Sequence, residues 1–331
     1  MSQANTSNMP CASAVSIRPL ERSDFEAVVA LDRRITGGTR RGYFEQRLKA
    51  ALRQPTRHLQ LAAATPSTIV GFLFARAAGG EFGRPDEVLA LEAIGVEPAA
   101  QHTGLGHRML DHLVALGRDR GITGVVTQSV WRNHPMLAFL DATGFGLAPQ
   151  QILERAVHRM PLPGTDEEIE TPPPLVRHLR QADLDMISRI DRALTGRDRA
   201  LYLARKVDEA LHESPIVVSL VAEDDGFVVA FATARVDYGD FGHVEPTASL
   251  DTIGVNPTFG RRGFARAILT QMIDNMSALH VDRLETEVAR DNFELFRFLH
   301  RFGFRPSERL PFSRALQAAW SPASARPARE P

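Results

Sequence analysis

The stretch that decides the fold is Ile94-Gly95-Val96-Glu97-Pro98, followed by Gln101-His102-Thr103-Gly104-Leu105-Gly106. The mostly apolar residues 88–92 before it indicate a strand. After it, apolar residues recur at helical spacing: Met109, Leu110, Leu113 and Val114. The sequence therefore predicts a strand, a glycine loop and a helix. Glycines let the backbone approach a ligand closely, and the unpaired N–H groups of a first helical turn attract an anion.

The same pattern returns later as Ile253-Gly254-Val255-Asn256-Pro257, then Gly260-Arg261-Arg262-Gly263-Phe264-Ala265. Gly254 follows Gly95 by 159 residues, and the same offset relates other identical residues along the chain. The identical pairs include Arg40 and Arg199, Tyr43 and Tyr202, Phe72 and Phe231, Arg76 and Arg235, Asn133 and Asn292, Phe139 and Phe298, and Gly144 and Gly303. Chance does not keep one register over so many elements, so the chain is a tandem duplication.

The duplication divides the chain into two predicted domains, residues 14–160 (the first repeat) and 175–315 (the second repeat). Each is long enough to bury a full core of its own. Residues 161–174 are rich in proline and acid, which predicts an extended linker. Residues 1–13 and 316–331 are polar or poor in apolar side chains and are predicted to be disordered.

Composition restricts the partners and the compartment. The formal net charge of −1 over 331 residues provides no basic field, so nucleic acid is not an expected partner. No stretch has the length and apolarity of a membrane helix or the pattern of a signal peptide. Cys11 is the single cysteine, which fits a reducing, cytoplasmic setting. No Cys/His cluster has metal-ligand spacing, so no metal is predicted, and the oligomeric state is left open.

The order of elements in each repeat is predicted as β-α-α-β-β-β-α-β-α-β-β. Three strands run consecutively, so the fold class is α/β with a mixed sheet (α+β), not a doubly wound parallel sheet.

Three kinds of phosphate loop compete for the glycine segment. A P-loop requires a Lys after its last glycine, and neither repeat has one. A Rossmann fingerprint requires a third glycine near the start of a βαβ unit, whereas this loop follows the fourth strand. The remaining pattern, Gln/Arg-x-x-Gly-x-Gly/Ala, is met in full by Gln101, Gly104 and Gly106. It is met with one departure by Gly260, Gly263 and Ala265.

With these features the sequence resembles the GNAT superfamily of acyl-CoA-dependent N-acetyltransferases. The resemblance covers both repeats and includes the element order, the Val-x-Pro turn before the loop, and an Asn eleven residues before a Gly-Phe pair. It implies two tandem GNAT-like domains that use acetyl-CoA as co-substrate.

The resemblance also implies which residues bind coenzyme A. In the family, loop N–H groups hold the pyrophosphate and the preceding strand pairs with the pantetheine arm. These roles fall on Ile94, Val96, Gln101, Gly104, Gly106, His107 and Asn133 in the first repeat. In the second repeat they fall on Ile253, Val255, Arg261, Arg262, Gly263, Ala265, Arg266 and Asn292. For Asn133 and Asn292 a helix cap is the alternative.

Acyl transfer to an amine requires a group that takes the amine proton, and a carboxylate near the acyl carbon is a plausible base. Glu92 and Asp251 occupy matching positions on the central strand among apolar neighbours. Burial would raise the pKa of such a carboxylate, which suits a base. The alternative is a structural carboxylate paired with Arg76 or Arg235 on the next strand.

The resemblance places the acceptor site near the repeated segment that ends in Arg40 and Tyr43, or in Arg199 and Tyr202. These side chains either face the acceptor or brace the helix pair. The family often has a Tyr acid four residues before the Gly of the Gly-Phe pair. Leu140 and Leu299 stand there, and the neighbouring Phe139 and Phe298 also lack a hydroxyl.

We therefore expect a cytoplasmic acetyltransferase that moves an acetyl group from acetyl-CoA to a primary amine of a small molecule or peptide. Two alternatives remain open at this stage. The protein could bind acyl-CoA as a pseudoenzyme or sensor, or one repeat could be catalytic and the other structural.

Overall fold

The computed structural model describes residues 15–79, 87–157, 174–214, 216–237 and 246–316. The predicted N-terminal tail, nearly all of the predicted linker and most of the predicted C-terminal tail lie outside these residues. None of the described helices is long and apolar enough to cross a membrane. No group of three or more His, Cys, Asp or Glu side chains in the described ranges could hold a metal ion.

The first repeat has the predicted order of elements. They are β1 (Ser16–Pro19), α1 (Phe25–Thr36), α2 (Arg41–Arg53), β2 (His58–Ala64), β3 (Ile69–Ala78), β4 (Val88–Val96), α3 (Leu105–Asp119), β5 (Gly124–Val130), α4 (His134–Ala142), β6 (Gly146–Leu147) and β7 (Gln150–Ala156).

The second repeat follows the same order. Its elements are β8 (Leu175–His178), α5 (Leu184–Thr195), α6 (Ala200–Asp208), β9 (Leu220–Asp224), β10 (Phe227–Asp237), β11 (Thr247–Val255), α7 (Phe264–Ala278), β12 (Arg283–Ala289), α8 (Phe293–Arg301), β13 (Arg305–Pro306) and β14 (Arg309–Ala315). A π-helical turn, Glu209–Glu213, extends α6.

Two mixed seven-stranded sheets result, which confirms the predicted fold class. The first sheet has the order β1-β2-β3-β4-β5-β14-β6, and the second has the order β13-β7-β12-β11-β10-β9-β8. The β4–β5 and β11–β12 pairs are parallel, and the other pairs in both sheets are antiparallel. Separate apolar clusters on the two faces of each sheet hold the helices, with α3 on one face and α1 on the other in the first sheet.

The last long strand of each repeat lies in the sheet of the other repeat. Strand β7 pairs with β12 over seven residues, and β14 pairs with β5 over seven residues. The short strands β6 and β13 stay with their own repeats and pair with the incoming strands. The chain therefore crosses between the sheets at residues 148–149 and again at 307–308. This exchange differs from the expectation that each repeat would complete its own core.

Side chains of the exchanged strands fill the cores they enter. Leu153 belongs to the core of the second sheet, and Phe312 and Leu316 belong to that of the first. Leu316 was assigned to the disordered tail, but it is buried and its N–H donates to the Thr123 carbonyl at 2.9 Å. Arg155 on β7 is also buried and donates to the Phe302 carbonyl.

A buried group of charges also joins the two repeats. Glu209 is 2% exposed and forms an ion pair with Arg57 of the first repeat. Its Oε2 lies 3.1 Å from Lys206 Nζ. Neighbouring contacts across the boundary are Gln54 Nε2 to Asp208 at 2.6 Å and Arg53 Nη1 to the His212 carbonyl at 2.7 Å.

These cations decide the protonation of Glu209. Burial raises the pKa of Glu209, but Lys206, Arg76, Arg57 and Arg235 outweigh it, so the pKa lies well below its usual 4.5. Burial and Arg235 lower the pKa of Arg76, but the nearby carboxylates Glu92 and Glu209 have the larger effect, so the pKa of Arg76 is raised. Glu209 is therefore an anion in the folded protein and balances cations of both repeats.

The strand exchange predicts that neither repeat is stable as a monomer. Two fragments split after Thr165 should each fail to give a cooperative thermal transition as monomers, because β5 and β12 would each lose an antiparallel partner. Mixed or co-expressed, they should form a one-to-one complex with an unfolding transition like that of the intact chain. Light scattering after gel filtration and thermal melts test this, and two stable monomeric fragments would contradict it.

Glu209→Gln should destabilise the protein by about 3–5 kcal/mol at neutral pH, because it leaves buried cations without their anion. The pKa of Glu209 is lowered by folding, so its contribution is complete above the unfolded value of about 4.5 and is lost progressively as the pH falls from there through the lower folded pKa.

Urea unfolding of wild type and Glu209→Gln at a series of pH values should therefore give curves that converge in acid. Glu45→Gln is the control, since Glu45 and Lys49 form an exposed pair at 3.0 Å. Equal effects of the two substitutions at neutral pH would contradict the role given to Glu209.

Candidate functional site

The glycine loops of the two repeats have the same unusual backbone. His102 has φ of 62° and Gly104 has φ of 81°, and the corresponding Arg261 and Gly263 have φ of 61° and 85°. Left-handed residues alternating with ordinary ones turn successive N–H groups towards a common point, which forms an anion-binding nest. Gly104 and Gly263 stand immediately before α3 and α7, so each nest continues into a helix N-terminus.

The N–H groups of these loops are available to a ligand. In the first repeat, the backbone N–H groups of residues 102–107 have no acceptor within the described part of the chain, and the next one, of Arg108, donates to the Gly104 carbonyl at 3.1 Å. In the second repeat the same holds for residues 261–265, and Ala267 donates to Gly263 at 2.9 Å. Each loop therefore presents a row of donors suited to a pyrophosphate.

The parallel strands beside each loop separate after three residues. Strand β4 pairs with β5 only from Val88 to Ala90, and β11 pairs with β12 only from Thr247 to Ser249. At the point of separation the Thr127 hydroxyl donates to the Leu91 carbonyl at 2.8 Å, and the Thr286 hydroxyl donates to the Leu250 carbonyl at 2.9 Å. Beyond these residues, the gap exposes the backbone edge of β4 and β11.

The strand residues singled out in the sequence face this gap. The N–H of Glu97 donates to the Val70 carbonyl at 2.9 Å. Because the backbone N–H and C=O groups of a strand point alternately to its two edges, those of Gly95 point towards β3 and those of Ile94 and Val96 point towards the gap. In the second repeat the N–H of Asn256 donates to the Val229 carbonyl at 2.8 Å, so the backbone groups of Ile253 and Val255 point towards the second gap. Such an edge can pair with an extended ligand that carries amide groups.

The two gaps differ at their loop ends. The Gln101 side chain donates to the Val96 carbonyl at 3.2 Å, so in the first repeat it covers one acceptor of the open edge. Gly260 stands at the corresponding position in the second repeat and has no side chain to do so. Arg262 stacks on Phe259 with 5.1 Å between its guanidinium carbon and the ring centroid, at the side of the second loop.

Asn133 and Asn292 act as helix caps. Asn133 Oδ1 accepts the N–H of Met136 and Asn292 Oδ1 accepts the N–H of Leu295, both at 3.2 Å. This geometry matches the alternative given for both residues. Their contact with a pantetheine arm stays a prediction.

The leucines at the family's usual Tyr position belong to the core. Leu140 and Leu299 are both buried, whereas Phe139 faces the glycine loop. The Phe139 ring lies 5.5 Å from the His107 ring, and a Cβ at Gly106 would stand 3.0 Å from it. The smallness of Gly106 therefore makes room for Phe139, and no hydroxyl enters the site from this helix.

Both candidate bases lie at a β-bulge of the central strand. The register of β3 with β4 shifts at Glu92, and the register of β10 with β11 shifts at Asp251. A bulge turns an extra side chain onto one face of the sheet. It points Glu92 and Asp251 at α2 and α6, where Arg47 and Lys206 meet them.

The two carboxylates are held differently. Glu92 Oε1 lies 2.5 Å from Arg76 Nε, and its Oε2 lies 3.0 Å from Arg47 Nε, so each oxygen faces a guanidinium. Asp251 Oδ2 lies 3.4 Å from Lys206 Nζ and 4.0 Å from Arg235 Nε. The contacts of Glu92 favour the structural alternative given for it, whereas Asp251 is held more loosely.

The predicted acceptor residues lie on the helix pair that follows the first strand of each repeat. Arg40 forms a buried bidentate pair with Asp32, and Arg199 forms the same pair with Asp191. The guanidinium of Arg199 lies 4.7 Å from the ring centroid of Tyr202. Both tyrosines are buried, and Tyr202 OH lies 2.7 Å from Thr252 Oγ1. These contacts support the bracing interpretation for the arginines and place Tyr202 beside the bulge.

The geometry of both repeats agrees with a known family. The model of the acetyltransferase (GNAT) family matches residues 18–145 and 184–304. The chain belongs to the GNAT family. A comparison with curated proteins found no match.

Solved structures with this fold include proteins of similar length. A tandem GNAT protein from the clavulanic acid biosynthesis pathway superposes with a TM-score of 0.64 at 14% identity, covering 92% of this chain and 99% of its own. A GCN5-related N-acetyltransferase from Sphaerobacter thermophilus gives 0.59 at 15% identity, covering 92% and 96%.

A further likeness is to one region of a larger enzyme. A fungal multi-domain β-N-acetylglucosaminidase with a GCN5-related glucosamine N-acetyltransferase region gives 0.62 at 14% identity, covering 94% of this chain and 39% of that one. At these identities the likenesses show the shared fold.

Sequence reasoning missed two sets of residues at the site. Thr127 and Thr286 link the parallel strands at the point where they separate, and their identity at the repeat offset could have identified them. Thr233 and Thr252 lie side by side at the second bulge, where the first repeat has Phe74 and Ala93. Only a comparison of the differences between the repeats would have found this second pair.

We expect the second repeat to bind coenzyme A more tightly than the first. Arg261, Arg262 and Arg266 flank its loop, whereas the first repeat offers Gln101, His102, His107 and Arg108 there. Each additional cation near a phosphate contributes about 1 kcal/mol, and less in salt.

Calorimetry with coenzyme A on Gly104→Glu and Gly263→Glu tests the ranking, because each substitution strains a left-handed residue and brings a carboxylate to one loop. The tighter binding phase should disappear with Gly263→Glu. If the tighter binding phase is kept in Gly263→Glu and lost in Gly104→Glu, the ranking is reversed.

Proposed function

We propose that the protein transfers an acetyl group from acetyl-CoA to a primary amine of a small molecule or peptide. The observation that carries this proposal is the split between parallel strands, which lies directly beside an N–H nest in both repeats. One end of this arrangement suits a pyrophosphate, and the other suits an extended arm with amide groups. Acetyl-CoA has both parts in this order.

The proposed binding mode uses the residues that face the gap. In the second repeat the loop from Arg261 to Arg266 holds the phosphates, and Ile253 and Val255 pair with the pantetheine arm. Gln101 to His107, with Ile94 and Val96, have these roles in the first repeat. The thioester then lies near the bulge, where strand N–H groups that face the gap can donate to its carbonyl oxygen.

The transfer step follows from the chemistry of a thioester and an amine. The amine nitrogen attacks the thioester carbon, the C–N bond forms, the C–S bond breaks and the amine loses one proton. We assign the acceptance of that proton to Asp251, directly or through water. The departing thiolate takes a proton from water, since a thiol with a pKa near 8.5 leaves readily.

The two repeats contribute unequally in this proposal. Because both oxygens of Glu92 face guanidinium groups, we assign it a structural role, and we assign the base to Asp251, whose contacts with Lys206 and Arg235 are longer. The first repeat then binds acetyl-CoA or supports the second sheet. This division favours a catalytic second repeat over two equal sites.

Release of free thiol from acetyl-CoA, followed with a panel of primary amines, tests the proposed function. Asp251→Asn should lower kcat/KM by roughly 100-fold while coenzyme A affinity is kept. Glu92→Gln is the matched variant, and it should reduce the unfolding temperature with less than a few-fold change in kcat/KM. A wild-type protein that releases no thiol with any amine would contradict the function. A large kinetic loss in Glu92→Gln without loss of stability would contradict the assignment of the base.

A further inference from the structure

Three hydroxyl-bearing side chains lie near one another in the interior of the second repeat. Tyr202 OH lies 2.7 Å from Thr252 Oγ1, and both residues are buried. Thr233 on β10 stands directly opposite Thr252 on β11 in the antiparallel register, so the two side chains share a face of the sheet. Thr252 follows Asp251 at the bulge. We call Tyr202, Thr233 and Thr252 the hydroxyl cluster.

The hydroxyl of Thr233 has no hydrogen-bond partner within the described residues. Its side chain is 1% exposed, and its Oγ1 is completely buried. A buried hydroxyl left unpaired costs stability, whereas an apolar side chain of the same shape would avoid that cost. A Val at this position would avoid that cost, so packing alone does not account for the hydroxyl.

The first repeat has no such cluster. Phe74 and Ala93 replace Thr233 and Thr252, and Phe44 stands where the second repeat has Leu203. The Phe74 ring packs 5.2 Å from Phe44 and 6.5 Å from Tyr43. Rings therefore fill the face of the first sheet where the second sheet presents smaller, hydroxyl-bearing side chains.

The cluster lies on the acceptor side of the proposed reaction. Phe231 shares its face of β10 and packs in the cluster between the second sheet and α5 and α6, opposite the face covered by α7. Asp251 contacts Lys206 of α6 on this same face. A ligand on this face would meet the Asp251 carboxylate and the neutral hydroxyl of the next residue, Thr252.

We propose that Thr233 hydrogen-bonds a neutral polar group of the acceptor, next to the Tyr202–Thr252 pair, while the acceptor's amine faces Asp251. The acceptor of the second repeat is then a primary amine with a hydroxyl or amide group close to its nitrogen. This inference rests on the proposed function and narrows its substrate class. A plain alkylamine would leave the buried hydroxyl unpaired and is a poor substrate.

The test compares ethanolamine, glycinamide and n-propylamine as acceptors with wild type and Thr233→Val. In wild type, ethanolamine or glycinamide should have a kcat/KM at least 10-fold above that of n-propylamine. In Thr233→Val the preferred amine should lose at least 10-fold through a raised KM, n-propylamine should change less than twofold, and coenzyme A affinity should stay the same. Thr68→Val, the same change in an exposed turn, is the control and should behave as wild type.

A thermal melt gives the second readout. Removing an unpaired buried hydroxyl should leave the unfolding temperature of Thr233→Val unchanged or raised, so a purely structural Thr233 would give a stable variant with wild-type kinetics. That result, or equal turnover of all three amines by wild type, would overturn the inference while the proposed function stands. A wild type that is inactive with every primary amine would overturn both, and it is recognised before any variant is made.

Discussion

The structure depends on one constraint, which is that β5 and β12 have their antiparallel partners only in the other repeat. Each of these strands is parallel to the central strand for three residues on one side and would be an open edge on the other. The exchanged strands β14 and β7 cover these edges over seven residues each and carry apolar side chains into the opposite core. The two sheets therefore fold as one unit, and the buried charges around Glu209 lie where the repeats meet.

The constraint shapes the candidate site as well. Strand β5 is held in place by its antiparallel pairing with β14. Strand β4 bends away from β5 at the bulge, so the gap between β4 and β5 stays open. The same bulge turns a carboxylate towards the helix pair on the other face. A single backbone irregularity thus opens an edge for an extended ligand on one side and places a charged group on the other.

The sequence predicts the elements and their order because hydrophobic period and glycine positions are local properties. It does not predict the exchange of strands, since the local patterns of β7 (QQILERA) and β14 (RLPFSRA) do not indicate which sheet each strand joins. Gly104 and Gly263 were recognised from spacing, and both have the left-handed backbone that favours glycine. The ion pairs of Glu92 and the unpaired hydroxyl of Thr233 depend on contacts across strands and helices, which spacing alone does not determine.

The proposed division of roles between the repeats rests on the differences at their bulges. The first repeat has aromatic rings at its bulge and a carboxylate whose two oxygens each face a guanidinium group, and packing and electrostatics favour both features. The second repeat keeps a loosely paired Asp251 and an unpaired hydroxyl at the same place, which are unfavourable choices for stability alone. Sites that bind and react often keep such unfavourable groups. Since the exchanged strands carry apolar side chains into the opposite core, the packing of each repeat contributes to the stability of the other.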